Sequence, residues 1–457
     1  MKAIVTVAVV ALLATSTPAL ARVWHVNPGG TGDAPTIQAA IDSAAVGDTV
    51  SLADGTYTGA GNREIDCYSA AVTIVSGSGD PEQCVITCSG SAQDCSDDYT
   101  AFRFRSTEPG AQRLEGVTIT GWCGGVVCEA GSCPAIANCV FRDNWCLAAE
   151  IGNPGAGLRC LQNSHPTITD CIFRDNDASY GAGVENREGF PTLTQVRFIG
   201  NGGSGGVGMV SAGGLVTLTE CEFRGNSGGD PWNFSGGSGL MCDGSAVLTN
   251  CVFDGNVSYG LGGAVCFRPA GSDYLQIQGC VFANNRSEVA LSEAGGGAIA
   301  ALGLSGPSGG LEITNCTFVG NAAADAWYEG GGLLVVGNVA VNVANTIIAF
   351  GGGGGGVACS NAPTPTFTCC DIVGNVGGDW TGCIAAQGAA SGNFSEIPYF
   401  CDRETGDFTL QSTSPCLPAN HPYGHDCGGV VGAFGEGCAG GPATEPTTWG
   451  AVKAIFR

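Results

Sequence analysis

From residue 114 to residue 372 the apolar positions recur in one phrase, used ten times. An apolar residue is followed three positions later by Cys or a small or β-branched residue. Phe or Ile comes two after that, and usually Asn another three on. Clear copies are Ile136-Cys139-Phe141-Asn144, Ile168-Cys171-Phe173-Asn176, Leu218-Cys221-Phe223-Asn226, Leu248-Cys251-Phe253-Asn256 and Ile313-Cys316-Phe318-Asn321. The Phe or Ile anchors fall at 119, 141, 173, 198, 223, 253, 282, 318, 348 and 372, so the steps run from 22 to 36 residues. A unit this short cannot bury its own apolar face, and neighbouring copies must stack.

The phrase contains a break in parity. Residues two apart on a strand share a face, and residues three apart do not. Cys171 and Phe173 fit one strand, but Ile168 points inward with them only if a corner intervenes. Thr169-Asp170 supplies it here, and Thr219-Glu220, Thr249-Asn250, Thr314-Asn315 and Ala344-Asn345 are its equivalents. Thr, Asn and Asp suit a corner because their side chains bond the backbone locally. A looser phrase of Gly-Gly before an apolar residue precedes each corner, as in Gly262-Gly263-Ala264-Val265 and Gly296-Gly297-Ala298-Ile299. It reads as a further short strand entered through a Gly-permitted bend. Each unit is then three short strands and three turns. The prediction is an all-β, single-stranded, right-handed parallel β-helix of about ten or more coils. Its longer steps place extra residues in one loop, as at 227–236 and 322–329, so recognition loops should project from one edge.

Composition narrows the picture. Of 457 residues, 77 are Gly, 44% are hydrophobic and only 13% are charged, which suits a β-rich fold with tight corners rather than a disordered chain. Residues 1–21 read as a secretory signal: Lys2, an apolar run from Ile4 to Leu13, and Ala19-Leu20-Ala21 before Arg22. Residues 22–440 form the expected β-helix domain, with an N-terminal cap at about 22–66 and a C-terminal cap at about 390–440. Residues 442–448 read as a linker and 449–457 as a short amphipathic tail. Loss of Lys2 with the signal takes the formal charge from −24 to −25. That balance disfavours nucleic acid and anionic lipid, and leaves neutral glycans, cations or basic proteins as partners of a secreted or surface-held monomer.

All 25 Cys lie beyond the signal. Cys139, Cys171, Cys221, Cys251, Cys280 and Cys316 share a slot with Val196 and Thr346, so they read as small space-filling groups. Most of the others cluster locally: Cys67, Cys84, Cys88 and Cys95; Cys123, Cys128, Cys133 and Cys146; Cys359, Cys369, Cys370 and Cys383; Cys401, Cys416, Cys427 and Cys438. In an exported chain these loop and cap cysteines are expected to be paired, although Cys123-Cys128-Cys133 also has a spacing suggestive of zinc. The recurring Asn reads as a hydrogen-bonded ladder at a turn.

The repeat of Gly-Gly-Ala-Ile with Phe318-Val319-Gly320-Asn321 resembles that of the chlamydial polymorphic outer-membrane proteins and related bacterial β-helix proteins. The segment from Pro35 through Thr36, Ile37, Ala40 and Ile41 to Asp42, continuing to Asp54-Gly55-Thr56-Tyr57, resembles the N-terminal cap of pectate-lyase-like folds. The resemblance implies a short capping helix whose apolar face is Ile37, Ala40 and Ile41. Phe408-Thr409-Leu410, Ser414-Pro415-Cys416 and Gly432-Ala433-Phe434 resemble the closing segment of secreted β-helix proteins.

Catalytic chemistry is hard to find. The polygalacturonase pattern of Asn-Thr-Asp, Asp-Asp, Gly-His-Gly and Arg-Ile-Lys is absent, and Gly424-His425-Asp426 lacks partner carboxylates. Asp175 and Asp177 have no obvious facing acid, as glycoside hydrolysis requires. Arg142, Arg174 and Arg224 each follow a ladder Phe and should form an outward column beside Asp143 and Asp175. That column reads as a solvated face of alternating charge, with glycan binding the sharper alternative. The acidic run Asp94-Cys95-Ser96-Asp97-Asp98 matches no calcium template, and His25, His165, His421 and His425 are scattered. No catalytic, cofactor-binding or metal-ligating residue is therefore assigned. The expectation is a non-catalytic, adhesin-like binding scaffold, ahead of a polysaccharide lyase or glycosidase and of a structural surface-layer component.

Overall fold

The computed structural model describes residues 21–68, 71–88, 100–108, 110–146, 155–230, 236–288, 295–324 and 330–439. The signal segment, Asp94 to Asp98 and the C-terminal linker and tail lie outside these residues. The described strands stack in parallel into three long sheets of twenty, twelve and seven strands. Register carries the anchors directly over one another, with Phe173 opposite Phe198, Phe198 opposite Phe223 and Phe223 opposite Phe253. The twelve-stranded sheet runs from Gly55–Tyr57 to Asp371–Val373. It adds two coils before the first anchor read from the sequence, because Tyr57 aligns with Ile86 and Ile86 with Ile119. The two extra coils were hidden because neither Tyr57 nor Ile86 has an Asn three positions on.

The parity break is a corner of one left-handed residue. Asp170, Glu220, Asn250, Asn315 and Asn345 all take φ between 47° and 54°. Each ends a strand of the twenty-stranded sheet and starts one of the twelve-stranded sheet. A second left-handed corner precedes each ladder Asn, at Asp143, Asp175, Gly200, Gly225 and Gly255. The Gly-Gly phrase makes the third corner, and its second glycine has a packing reason. A Cβ on Gly183 would stand 2.8 Å from the Phe198 ring, and one on Gly208 would stand 3.0 Å from Phe223. Beside Phe198 and Phe223 the column therefore needs bare backbone, whereas Ala264 and Ala298 take the same slot in later coils.

Three interior ladders hold the stack. The rings of Phe141, Phe173, Phe198, Phe223, Phe253, Phe282 and Phe318 lie nearly parallel with centroids 4.5–5.2 Å apart. Beside them, the Asn201 side-chain amide donates to Asn226 Oδ1 (2.9 Å) and to the Phe173 carbonyl (3.0 Å). The Asn201 backbone N–H also donates to Asn226 Oδ1 (3.1 Å). Asn144, Asn176, Asn226, Asn256 and Asn285 repeat the pattern, so one buried amide per coil satisfies backbone groups of its neighbours. Asp379 ends the series by accepting from both nitrogens of Asn375. The third ladder is the thiols. Cys139, Cys171, Cys221, Cys251, Cys280 and Cys316 are buried and free, and several donate to carbonyls of their own or the preceding coil.

The disulfides join Cys123 to Cys146, Cys359 to Cys383, Cys369 to Cys427 and Cys401 to Cys438, and Cys88 is also disulfide-bonded. Pairing of loop and cap cysteines thus holds for part of the set. Cys67, Cys84, Cys128, Cys133, Cys370 and Cys416 are free instead. Cys84 and Cys370 occupy the same inward slot as the ladder thiols, two residues before the anchors Ile86 and Ile372. Cys67 and Cys128 point inward in another row, which continues to Cys160. Cys123, Cys128 and Cys133 do not converge on one point, because only the first reaches a disulfide partner and the second turns into the core.

The ends and one flank are closed differently. Ile37–Ser43 forms the N-terminal helix, its Thr36 side chain accepting from Ala39 N, with Ile37, Ala40 and Ile41 buried in the core. At the other end Ile384 on the 3₁₀ helix Gly382–Gln387 joins the core, and Trp380 packs edge-on against Phe367. The strands Phe400–Asp402, Asp407–Gln411 and Glu436–Cys438 lie along the side of the stack. There Phe394, Phe400, Phe408, Leu410 and Val431 cover Val252, Val281, Val319 and Ile347, the outward residues of the twelve-stranded sheet.

Asp371 lies under this covering, accepting from Glu396 N and from the Cys416 thiol. Burial holds its carboxyl well above the usual range. A raised folded-state pKa contributes stability below the unfolded value of about 3.9, and that contribution is lost as pH rises towards the folded value. Asp371→Asn should therefore gain on the wild type as pH rises from about 4. Thermal melts across pH check this, and a difference that does not vary with pH would contradict it.

Candidate functional site

The column Arg142, Arg174, Arg224 is formed as expected, with Ile199 between the second and third members. Its members are tied to acids. Arg142 and Arg174 both approach Glu82, at 3.7 and 3.3 Å, and Arg224 approaches Glu222 at 2.7 Å and Asp254 at 3.6 Å. This is the solvated face of alternating charge. Asp175 and Asp177 do not act together, because Asp175 sits on the left-handed corner and Asp177 starts the next strand, with buried Asn176 between them. His165 stacks on Phe190 at 4.9 Å, far in sequence from His421 and His425, whose rings lie 6.0 Å apart in the closing segment. His25 lies on the first strand.

A groove of about 630 Å³ opens instead on the outer face of the twenty-stranded sheet. It lies over the strands that follow the Gly-Gly corners. Register sets its floor in two outward rows. One row runs Arg159, Glu185, Val210, Met241, and the other Leu161, Arg187, Ala212, Asp243. Arg268 and Tyr180 complete the walls.

Every carboxylate at the centre is held by arginine. Glu185, with a side chain 1% exposed, accepts from Arg159 Nε and from Gly155 N at 2.9 Å each, and pairs with Arg187 through its other oxygen. Asp243 takes Arg268 in a two-pronged pair, with Nε to Oδ1 at 2.7 Å. Burial would lower the Arg268 pKa, but the hydrogen bond and charge of Asp243 outweigh it and the value is raised. The same face continues to Glu129, between Arg103 and Arg105 at 3.1 and 2.9 Å. Burial alone would raise the Glu129 pKa, but the two guanidiniums bring it below the usual carboxylate range.

Chemically the arginine-held carboxylates Glu185 and Asp243 offer hydrogen-bonding edges beside an apolar floor, and Glu188 adds an exposed carboxylate to the lining. The two central carboxylates stand two strand spacings apart, roughly 10 Å along the axis before any lateral offset. Hydrolysis that inverts needs about 6.5–9.5 Å and one acid kept protonated.

The family model "Right handed beta helix region" matches residues 156–348. That span contains the groove from Arg159 to Arg268 and seven of the ten anchors, from Phe173 to Ile348. The stack is a right-handed parallel β-helix. Among solved structures, a crystal structure of pectate lyase Pel9A is similar, with 14% identity and a TM-score of 0.49 over 92% of this chain and 97% of that one. No curated protein matches.

None of Arg159, Glu185, Arg187, Asp243 and Arg268 stands out in the sequence. The signal was present in parity: Arg159-x-Leu161, Glu185-x-Arg187 and Met241-x-Asp243 are outward pairs on the strand after Gly-Gly. Only the register brings them together.

Proposed function

We propose that this protein is an exported, non-catalytic β-helix scaffold that recognises an extracellular glycan or protein along the groove and the loops beside it. The observation that carries the reading is the locking of Glu185 and Asp243 by Arg159, Arg187 and Arg268. A general acid or base must reach the substrate through a free oxygen, and both of these carboxylates have their oxygens occupied by guanidiniums. Export is supported by the N-terminal signal pattern and by disulfides at Cys123, Cys359, Cys369 and Cys401. No helix among the described residues is long and apolar enough to cross a membrane. The charge of −24 supports a partner other than nucleic acid, and a monomer is the working state.

The test is a panel of plant and bacterial polysaccharides, assayed both for binding and for new reducing ends or unsaturated products. Binding without turnover is the expected result. Clear turnover would replace this reading with a polysaccharide lyase or glycosidase. Absence of binding to glycans and to surface proteins alike would leave a structural surface-layer role.

A further inference from the structure

We infer that the occupant of the groove is a linear, uncharged glycan lying along the stack axis, with one sugar ring stacked on Tyr180. This rests on the binding reading above and adds the ligand class and the residue that selects it. Tyr180 is 40% exposed, yet its ring is seated. One edge of it rests on Gly205 of the next coil, where an added Cβ would stand 3.0 Å from Cε1, so a larger residue there would displace it. The ring forms a wall of the groove together with Arg268.

The lining is amphipathic in the way a pyranose is. Leu161, Val210, Ala212 and Met241 make an apolar strip, and Arg187 with the Arg268–Asp243 pair presents donors and an acceptor beside it, while Glu185 beneath them is closed off. A sugar ring has a C–H face for the strip or for Tyr180, and hydroxyls for these polar groups. Charge argues for an uncharged ligand. The lining holds Arg159, Arg187 and Arg268 against Glu185, Glu188 and Asp243, which cancel, within a chain of net charge −24. A polyanion meets arginines already committed and an unfavourable long-range field, and a polycation finds Glu185 and Asp243 already paired, with exposed Glu188 alone left to it in the lining. An extended peptide is also disfavoured. The floor strand Val184–Arg187 is paired on both sides, by Leu158–Leu161 and Met209–Thr219, so no free edge offers backbone hydrogen bonds. From the coil of Arg159 to that of Arg268 there are four strand spacings, roughly 19 Å, room for several sugar units of a linear chain.

Calorimetric titration of the full-length mature chain with cellohexaose, xylohexaose and mannohexaose tests the inference, with hexagalacturonate as the charged comparison. At least one uncharged hexasaccharide should bind, with a Kd that changes less than about twofold between low and high salt. Tyr180→Ala should weaken it about three- to tenfold, and Tyr180→Phe should stay within about twofold, since the ring rather than the hydroxyl makes the contact. Trp145→Ala, which alters an exposed aromatic outside the groove, should leave the Kd unchanged. Binding that survives Tyr180→Ala, or that depends on Trp145, would overturn this inference and leave the scaffold reading standing. Preferred, salt-sensitive binding of hexagalacturonate would overturn the choice of an uncharged ligand. Failure of the wild type to bind any of the four while binding a surface protein would also overturn it, again without touching the scaffold reading.

Discussion

Phe223→Ala is expected to remove about 3–5 kcal/mol from the middle of the stack, among the largest single-residue losses available in the core. Phe223 is fully buried, and its ring is stacked between Phe198 at 4.5 Å and Phe253 at 4.6 Å. Truncation leaves a cavity that two flat neighbours cannot fill, because each is itself held in register by a further ring. Gly208 sharpens the effect. It is bare so that the ring fits against it, and its backbone cannot move inward while its strand stays paired on both sides. Cys221→Val, two residues away on the same strand, should cost less than about 1.5 kcal/mol, since Val196 already fills that slot one coil earlier. Contacts in a solenoid are between neighbouring coils, so the loss should be local before it is global. Hydrogen exchange should show the coils around residues 198, 223 and 253 losing protection first, with the N-terminal helix keeping its own. Equal losses from the two substitutions would mean that the thiol slot is as specific as the aromatic one, against the packing argument.

The contrast between Phe223 and Cys221 also marks what the amino-acid pattern reveals. The fold is written in residues that face inward, where each coil repeats the same demand and mistakes would accumulate along the stack. Phe141 through Phe318, the Asn ladder and the left-handed corners at Asp170 or Asn250 all show in the spacing for that reason. Coils anchored by Tyr57 and Ile86 were less visible because they lack the Asn that makes the phrase recognisable. Outward positions carry no such repetition. Row by row the groove reads Arg, Glu, Val, Met and Leu, Arg, Ala, Asp, and no period connects them. Two residues such as Glu185 and Arg159 lie 26 apart in the chain and meet only because insertions elsewhere in the coil leave the strand register intact. The covering of the twelve-stranded sheet by Phe400 and Phe408 was hidden for a similar reason. Val281, Val319 and Ile347 look like ordinary strand residues until the register shows that they all point outward together.

Glu185→Ala should be the most costly change in the groove, at about 3–5 kcal/mol, because it leaves the largely buried Arg159 guanidinium and one backbone N–H without their acceptor. Arg159, 19% exposed, cannot easily turn to solvent, whereas Arg187, 42% exposed, can. The penalty therefore falls mainly on Arg159 and on Gly155 N, which also donates to the lost carboxylate. Glu185→Gln keeps an acceptor for both and should cost clearly less. Removing Arg159 together with Glu185 should recover part of the loss, since no buried charge is then left without a partner. Three melts and a double-substitution cycle measure this directly. A coupling between positions 159 and 185 near zero would show that the carboxylate is not committed to arginine. It would then be free to meet a substrate, and the case against catalysis in the groove would lose its main support.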